Sequence, residues 1–572
     1  MAGAALGCVA IALTCSYSAR ACAADEPFFM KQTGGFYHYV RESSTTFASI
    51  KSKIESDYYS ARGVRNLIFY CPYRASEEYR GVPAVDFFST NPNTGSVDDF
   101  RAMVTAAHAK GMGVVAYMGL LFVDPENAIW LKAQQDHKAG VNSPEANTFL
   151  WADEPSDEVQ DYGGWEYSEI ADSYYATSWE RPAIHVGHAD GRAYVKSVLA
   201  FWLALGVDGF EYDSLESFWG QTPSILKDLL VTYPNTHTPG QKYLLREGPL
   251  ASYGNAEESD SIGLTHVLLS GDTDDRSVAT DVVSGEMTVD QLETHFATFL
   301  DARRAAGRGA KAVSNYSDMS AGERAFEAAV LAGNGAVMEI DYDEIYKLLD
   351  QNTQKQYDAV FAALARSTAE APGASRKRVP TGSNKLTYGV VRVSTDGAAR
   401  VLNLYNFAKQ PSMLQVDLSG TGISPGDVPL DLVTNAPGAA VTATAYSVSL
   451  PALGYALLGF GQLNGGGGTG GVPAETAGSG GSNPGAEGGK SPVTGGSSNG
   501  GGQATGGKPS ANTGGSALGS NGGASGAAAA AAAARSEDSG CGCSTVPRPG
   551  GLLAAMAVAA ALAAGIKRRA RR

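Results

Sequence analysis

From residue 26 to about 370, hydrophobic positions follow two rhythms that take turns. Short, continuously apolar runs such as VRNLIFYCP, MGVVAYMGLL, VDGFEYD and GAVMEID read as strands buried on both faces. Between them, apolar residues recur every three or four positions in SVDDFRAMVTAAHAKG, GRAYVKSVLAFWLALG, VDQLETHFATFLDARRAAG and AGERAFEAAVLAG, the mark of amphipathic helices. Local punctuation agrees: Ser96 stands at an N-cap position, Asp98 and Asp99 fall in the first turn, and Gly111 follows the last periodic residue. Repeated strand–helix units with strands apolar on both faces predict a parallel sheet covered by helices. Their number fits a closed (β/α)8 TIM barrel, an α/β fold.

The rhythm breaks twice. A long insertion at 122–189 carries Trp130, Trp151, Trp165 and Trp179 with Tyr162, Tyr167, Tyr174 and Tyr175. Loops of this length in a compact domain are usually functional, and exposed rings suit stacking on sugar faces; a small aromatic core for a subdomain accounts for them equally well. From about 385 to 462 the pattern becomes short and alternating (LTYGVVRVS, ARVLNLYNFA, SMLQVDLSG, YSVSLPALGYALLGF), predicting a separate antiparallel β-sandwich.

Composition then sets the context. Residues 464–540 hold 26 of the 70 glycines and an eight-alanine run from Ala527, too little apolar surface to fold, and read as a flexible stalk. Residues 1–24 read as an export signal whose apolar run ends at Ala21-Cys22-Ala23, although a basic start is missing; a buried N-terminal helix is the competing reading. Removing that signal leaves Cys71 as the one cysteine of the folded body, so no intradomain disulfide is expected. After Gly540, a Cys541-Gly-Cys543 motif precedes an apolar run at 551–566, and five of the last six residues are Lys or Arg. That run reads as a short membrane segment with its charges held inside. The tripartite tail, 541–572, resembles the MYXO-CTERM surface-sorting signal of myxobacteria, which implies processing and lipid attachment at Cys541 or Cys543. The expected location is therefore the cell surface, anchored to the membrane through the tail. A formal charge of −15 without a basic stripe argues against nucleic acid as a partner.

Barrel enzymes place their chemistry where strands end, and three such ends carry carboxylates: Asp213, Glu247 in LLREGP, and Asp318 in SNYSD. Retaining glycoside hydrolysis needs two carboxyl groups about 5–5.5 Å apart, one a nucleophile and one a general acid, and a third acid can position hydroxyls. Any single strand-end acid can equally cap the next helix. One detail stands out. Glu211 lies two residues before Asp213, so alternation puts both on one face, where like charges resist joint ionisation.

The segment YRGVPAVDFFSTNPNTGSVDDFRAMVTAAHAKGMGVVAY resembles the region spanning the second helix and third strand of glycoside hydrolase family 13, the α-amylase family. FWLALGVDGFEYDS is similar to that family's fourth-strand motif, G-F-R-x-D. Barrel, third-strand insertion and sandwich match its catalytic, B and C domains in order, over roughly 28–460. By that resemblance Asp213 falls on the nucleophile and Glu247 on the general acid. Asp318 or Ser317 falls near the third acid of an N-H-D motif that here reads Asn315-Tyr316-Ser317-Asp318. Where the third-strand motif has Asp and then Asn-His, this chain has Tyr117 and then Leu121-Phe122. The family arginine that pairs with the nucleophile is replaced by Glu211.

Three explanations of Glu211 remain open: another cation compensates, with Arg246 the nearest by sequence; Glu211 grips a substrate hydroxyl or amine; or the site is degenerate. The expected function is a divergent retaining α-glycoside hydrolase or transglycosylase acting on an extracellular carbohydrate. A catalytically degenerate glycan-binding or structural surface protein is the alternative. Tyr117, Phe122, Glu211, Asn315, Tyr316 and Trp165 are the expected substrate contacts. No cofactor is assigned; Asp153, Asp157 and Asp161 would be the calcium candidates and read equally well as surface acids.

Overall fold

A computed structural model describes residues 26–40, 45–77, 81–156, 163–247, 259–270, 278–313 and 320–463. The expected export signal, the stalk, the sorting tail with Cys541 and Cys543, and the 314–319 segment with Asn315, Tyr316 and Asp318 lie outside the described residues. So do Asp157, Asp161 and Tyr162.

Eight parallel strands form the barrel: β1 (Gly34–Tyr39), β2 (Asn66–Tyr70), β3 (Gly113–Met118), β4 (Gly209–Tyr212), β5 (Tyr243–Arg246), β6 (His266–Ser270), β7 (Gly309–Val313) and β8 (Val337–Asp341). The ladder runs β5-β4-β3-β2-β1-β8-β7-β6. β5 and β6 meet without a regular ladder, and the side chain of Thr265 stands in for one. Its Oγ1 accepts the Leu244 N–H at 2.7 Å and lies 3.2 Å from the Lys242 and Leu244 carbonyls, either of which can take its proton. β4 approaches β5 so closely that a Cβ on Gly209 would fall 1.9 Å from the Tyr243 carbonyl oxygen, which requires glycine there.

Alternate strand residues point into the barrel and out to the helices. Outward residues such as Phe36, Leu67, Phe69, Phe210, Leu244 and Ile340 join the main core with the helix faces. The helix Val97–Ala109 begins as expected: Ser96 Oγ accepts the Asp99 N–H at 3.1 Å, and Asp99 returns the bond to the Ser96 N–H at 2.8 Å. The N-terminal floor of the barrel is apolar. A short 3-10 helix, Phe28–Met30, plugs it and packs Phe29 edge-on against Tyr243 and His266, with Ile68, Val115 and Leu245 completing the layer.

The insertion after β3 is a helix, Ala128–Lys138, with antiparallel strands Trp151–Ala152, Gly163–Ser168, Ser173–Ser178 and Arg181–Pro182. The antiparallel C-terminal unit starts ahead of the 385 boundary read from the sequence, with strand Ser375–Val379 on the edge of a six-stranded sheet. That strand, SRKRV, is mostly exposed and charged, so hydrophobic alternation could not reveal it. Strands Ser412–Asp417 and Ala445–Leu450 form the facing pair over a core that includes Leu402, Leu404, Leu414, Val416 and Phe460. Arg376 ties this unit to the barrel's helix layer through Glu293 at 2.7 Å and Asp301 at 2.9 Å.

Candidate active site at the barrel mouth

β4 and β5 are neighbours, with Tyr212 paired to Arg246, and the pairing runs one residue past each strand. The Asp213 N–H donates to the Met118 carbonyl at 3.2 Å, and the Glu247 N–H to the Tyr212 carbonyl at 2.9 Å. Both residues therefore keep strand geometry at the C-terminal end, and alternation carries both side chains inward: Gly209, Glu211, Asp213 on β4 and Tyr243, Leu245, Glu247 on β5. Immediately after Asp213 the chain turns through a left-handed Ser214, φ 32°, whose hydroxyl donates to Asp213 Oδ1 at 2.8 Å. Tyr117, one strand away on β3, donates its hydroxyl to Glu247 Oε2. Asp213 and Glu247 keep part of their surface in solvent, as do Tyr37 and Tyr39.

Beside the carboxylates stands a wall of tyrosines. Tyr39, Tyr70 and Tyr117 continue round β1, β2 and β3, with ring centroids 4.8 Å apart in both the Tyr39–Tyr70 and Tyr70–Tyr117 pairs. Tyr37 lies one step deeper, 5.9 Å from Tyr70 and 6.2 Å from Tyr117. Of the expected contacts, Tyr117 and Glu211 lie on the barrel's inner face. Phe122 is 2% exposed in the main core and bridged by backbone to Ala183, a structural position. Trp165 packs edge-on against Trp219, and Trp130 stacks on Trp151 with Tyr175 beside it. Trp130, Trp151 and Tyr175 act as subdomain core, their faces spent on one another, whereas Trp165 stays partly exposed and Tyr167 is 49% exposed.

Glu211 finds its counter-charge on the far side of the barrel. Lys311 of β7 places Nζ 2.9 Å from both Glu211 oxygens and 2.8 Å from Glu339 Oε1 of β8, all three side chains being at most 5% exposed. The Tyr243 hydroxyl approaches Glu211 at 3.5 Å. The compensating cation is thus Lys311. Arg246, the sequence candidate, falls on the outward face by alternation and is 7% exposed. Burial alone would lower the lysine's pKa, but the two carboxylates more than reverse this and hold it above the ordinary lysine value. Burial raises the Glu339 carboxyl, only partly offset by Lys311, and the Glu211 charge adds to the rise. Glu211 is therefore a buried ion-pair partner one step beneath Asp213.

Sequence reasoning missed this triad, although single charges inside the apolar strands GAKAV and VMEID were its signal. It also passed over Asp341, the inward-facing end of β8, 5% exposed and pushed up to about 7 by burial. Among the described residues, no group of three or more His, Cys, Asp or Glu side chains is arranged to hold a metal ion, and no helix is long and apolar enough to cross a membrane.

Residues 46–319 match the model of the alpha-amylase catalytic domain. A glucan 1,6-alpha-glucosidase of Streptococcus dysgalactiae subsp. equisimilis is 24% identical over 203 residues, 35% of this chain and 36% of that protein. An amino acid transporter heavy chain of Homo sapiens is 22% identical over 206 residues, 33% of this chain and 29% of its own. The chain spans about a third of the length of these curated relatives. Among solved structures, Eubacterium rectale Amy13B superposes with a TM-score of 0.56 at 15% identity, covering 75% of this chain and 95% of that one, a likeness of fold.

Proposed function

We propose that the protein is a divergent retaining α-glycoside hydrolase or transglycosylase of the α-amylase family. In this reading it is exported, held at the cell surface through its C-terminal tail, and acts on an extracellular carbohydrate. The observation that carries the reading is the placement of Asp213 and Glu247 on one inner face at adjacent strand ends of a single barrel mouth. Neighbouring strands lie about 4.8 Å apart, which is the scale of the 5–5.5 Å carboxyl separation that retaining chemistry requires.

Asp213 would attack the anomeric carbon while Glu247 gives its proton to the departing glycosidic oxygen. Glu247 would then take a proton from the water or sugar hydroxyl that releases the glycosyl-enzyme. The Tyr117 hydroxyl donates to the ionised Glu247, the form that serves as base in this second half. Asp318 would be the hydroxyl-positioning acid, and Asn315 and Tyr316 substrate contacts. The match to the alpha-amylase model and the glucosidase relative support this class.

A second reading, a glycan-binding or structural protein without turnover, is favoured by the commitment of Glu211 to Lys311 and by the transporter heavy chain among the relatives. Hydrolysis of a panel of α-glycans by the wild type, Asp213→Asn and Glu247→Gln separates the two. The enzyme reading expects retained anomeric configuration by NMR, and a fall in turnover of roughly 10²–10⁴-fold or more in either variant with binding preserved. Variants as active as the wild type would remove both residues from the chemistry, and a wild type that binds glycans without cleaving any would establish the second reading.

A further inference from the structure

We propose that Ser214 is a positioning residue for the nucleophile: its left-handed backbone turns the hydroxyl back onto Asp213 and fixes the attacking carboxylate. This rests on the glycoside hydrolase reading above, in which Asp213 attacks the anomeric carbon. Strand alternation, continued past Tyr212, would send the side chain after Asp213 outward, away from the carboxylate. Instead Ser214 adopts φ 32° and ψ 57°, and its Oγ donates to Asp213 Oδ1 at 2.8 Å. The backbone conformation and the hydrogen bond therefore belong together.

Residues other than glycine, Asn and Asp rarely enter this left-handed region, because Cβ crowds the following carbonyl. Glycine would make the same turn without that cost, so serine stands here against the local backbone preference. Its surroundings hold it in place. The Ser214 carbonyl accepts the Ser217 N–H at 2.9 Å, at the start of a 3-10 turn, Leu215–Ser217. Beyond the turn, Phe218 and Trp219 are at most 1% exposed, and the Trp219 indole donates to the Thr177 carbonyl at 2.8 Å. On the other side the Asp213 N–H is bonded to Met118 at 3.2 Å. The chain is thus pinned before and after Ser214, the setting in which a strained residue persists.

What the strain secures is the orientation of a carboxylate. A hydroxyl donating to one oxygen sets the plane of Asp213 and favours its charged form, which is the nucleophile. Glu211 stands where the resembling motif has an arginine and is itself committed to Lys311 at 2.9 Å. Other groups act on Asp213 as well, and the Ser214 hydroxyl supplies one share of the hold.

The test uses the full chain and the α-fluorides of glucose, galactose and mannose. With these, an Asp213 oxygen bonds the anomeric carbon as the C–F bond breaks, and fluoride leaves with the electron pair, needing no proton from Glu247. Fluoride release in the first turnover, followed over a range of probe concentrations, therefore reads the attack alone. Ser214→Ala and Ser214→Gly should both slow its maximal rate about tenfold or more, with half-saturation within about twofold of the wild type. Glycine relieves the left-handed strain, so Ser214→Gly should melt about 1–2 °C above Ser214→Ala, and equal slowing in spite of that difference marks the hydroxyl as the active part. Either variant as fast as the wild type overturns the proposal and leaves the glycoside hydrolase reading intact; because glycine suits the turn, that comparison stands even where Ser214→Ala fails to fold. A change in half-saturation with the maximal rate unchanged overturns it too, since Ser214 would then act on binding. Fluoride released from none of the three by the wild type overturns the proposal together with the reading beneath it.

Discussion

Replacing Lys311 by methionine preserves its length and removes its charge from the centre of the barrel. Three N–O contacts of 2.8–2.9 Å vanish, and Glu211, 2% exposed, is left as an uncompensated carboxylate with Glu339 close by. Removing one partner of a buried ion pair costs about 3–5 kcal/mol. With roughly 2.1 cal/mol/K of unfolding entropy per residue, a body of this size loses about 1 °C per kcal/mol, so the thermal midpoint should fall by about 3–5 °C. The partners should differ in weight. Burial raises the Glu339 carboxyl, so the cost of keeping it charged offsets more of its pairing with Lys311, and Glu339→Gln should cost less than Glu211→Gln. Glu211→Arg, which would restore the arginine of the resembling motif, would instead set a guanidinium against Lys311 and should destabilise at least as much as Glu211→Gln. Calorimetry at pH 7 with urea unfolding of the same set reads all four variants. A stable Lys311→Met, or equal losses from Glu211→Gln and Glu339→Gln, would refute this account of the triad.

Two further outcomes follow from particular contacts. Asp341 is raised to about 7 in the folded state and titrates near 4 when unfolded, so between those values the folded chain holds the extra proton; its contribution is complete below about pH 4 and lost as pH rises through 7. That loss is on the order of 4 kcal/mol for this group alone, with the raised Glu339 and Glu370 acting in the same direction. Asp341→Asn should therefore flatten the fall of the thermal midpoint between pH 4.5 and 7.5, and parallel curves for variant and wild type would be evidence against it. Thr265→Val keeps shape but strands the Leu244 N–H at the β5–β6 seam, which should cost about 1–3 kcal/mol. Hydrogen exchange should show faster opening of the Leu244 amide, and unchanged protection there would mean that Thr265 does not close the barrel.

The sequence by itself determined the class of fold and put Asp213 and Glu247 at the ends of two of its strands. Strands such as LIFY and GVVAYM are apolar on both faces because helices cover one side and the barrel interior the other, and that local pattern needs no tertiary information. Asp213 and Glu247 were legible because each ends such a strand. The first strand, GGFYHY, was not singled out: its paired glycines, tyrosines and histidine lack a continuous apolar run, and its Tyr37 and Tyr39 became part of the site only once the barrel closed. Closure also decided how the charges pair. Glu211 and Lys311 are a hundred residues apart, and only the barrel turns β4 and β7 toward one shared interior. Likewise, a tryptophan in the insertion has the same letter whether it stacks on a sugar or on another ring. Its role depends on which surface tertiary packing leaves uncovered, and here Trp130 covers Trp151. Local pattern sets which residues can turn inward; the closed barrel alone determines what they meet there.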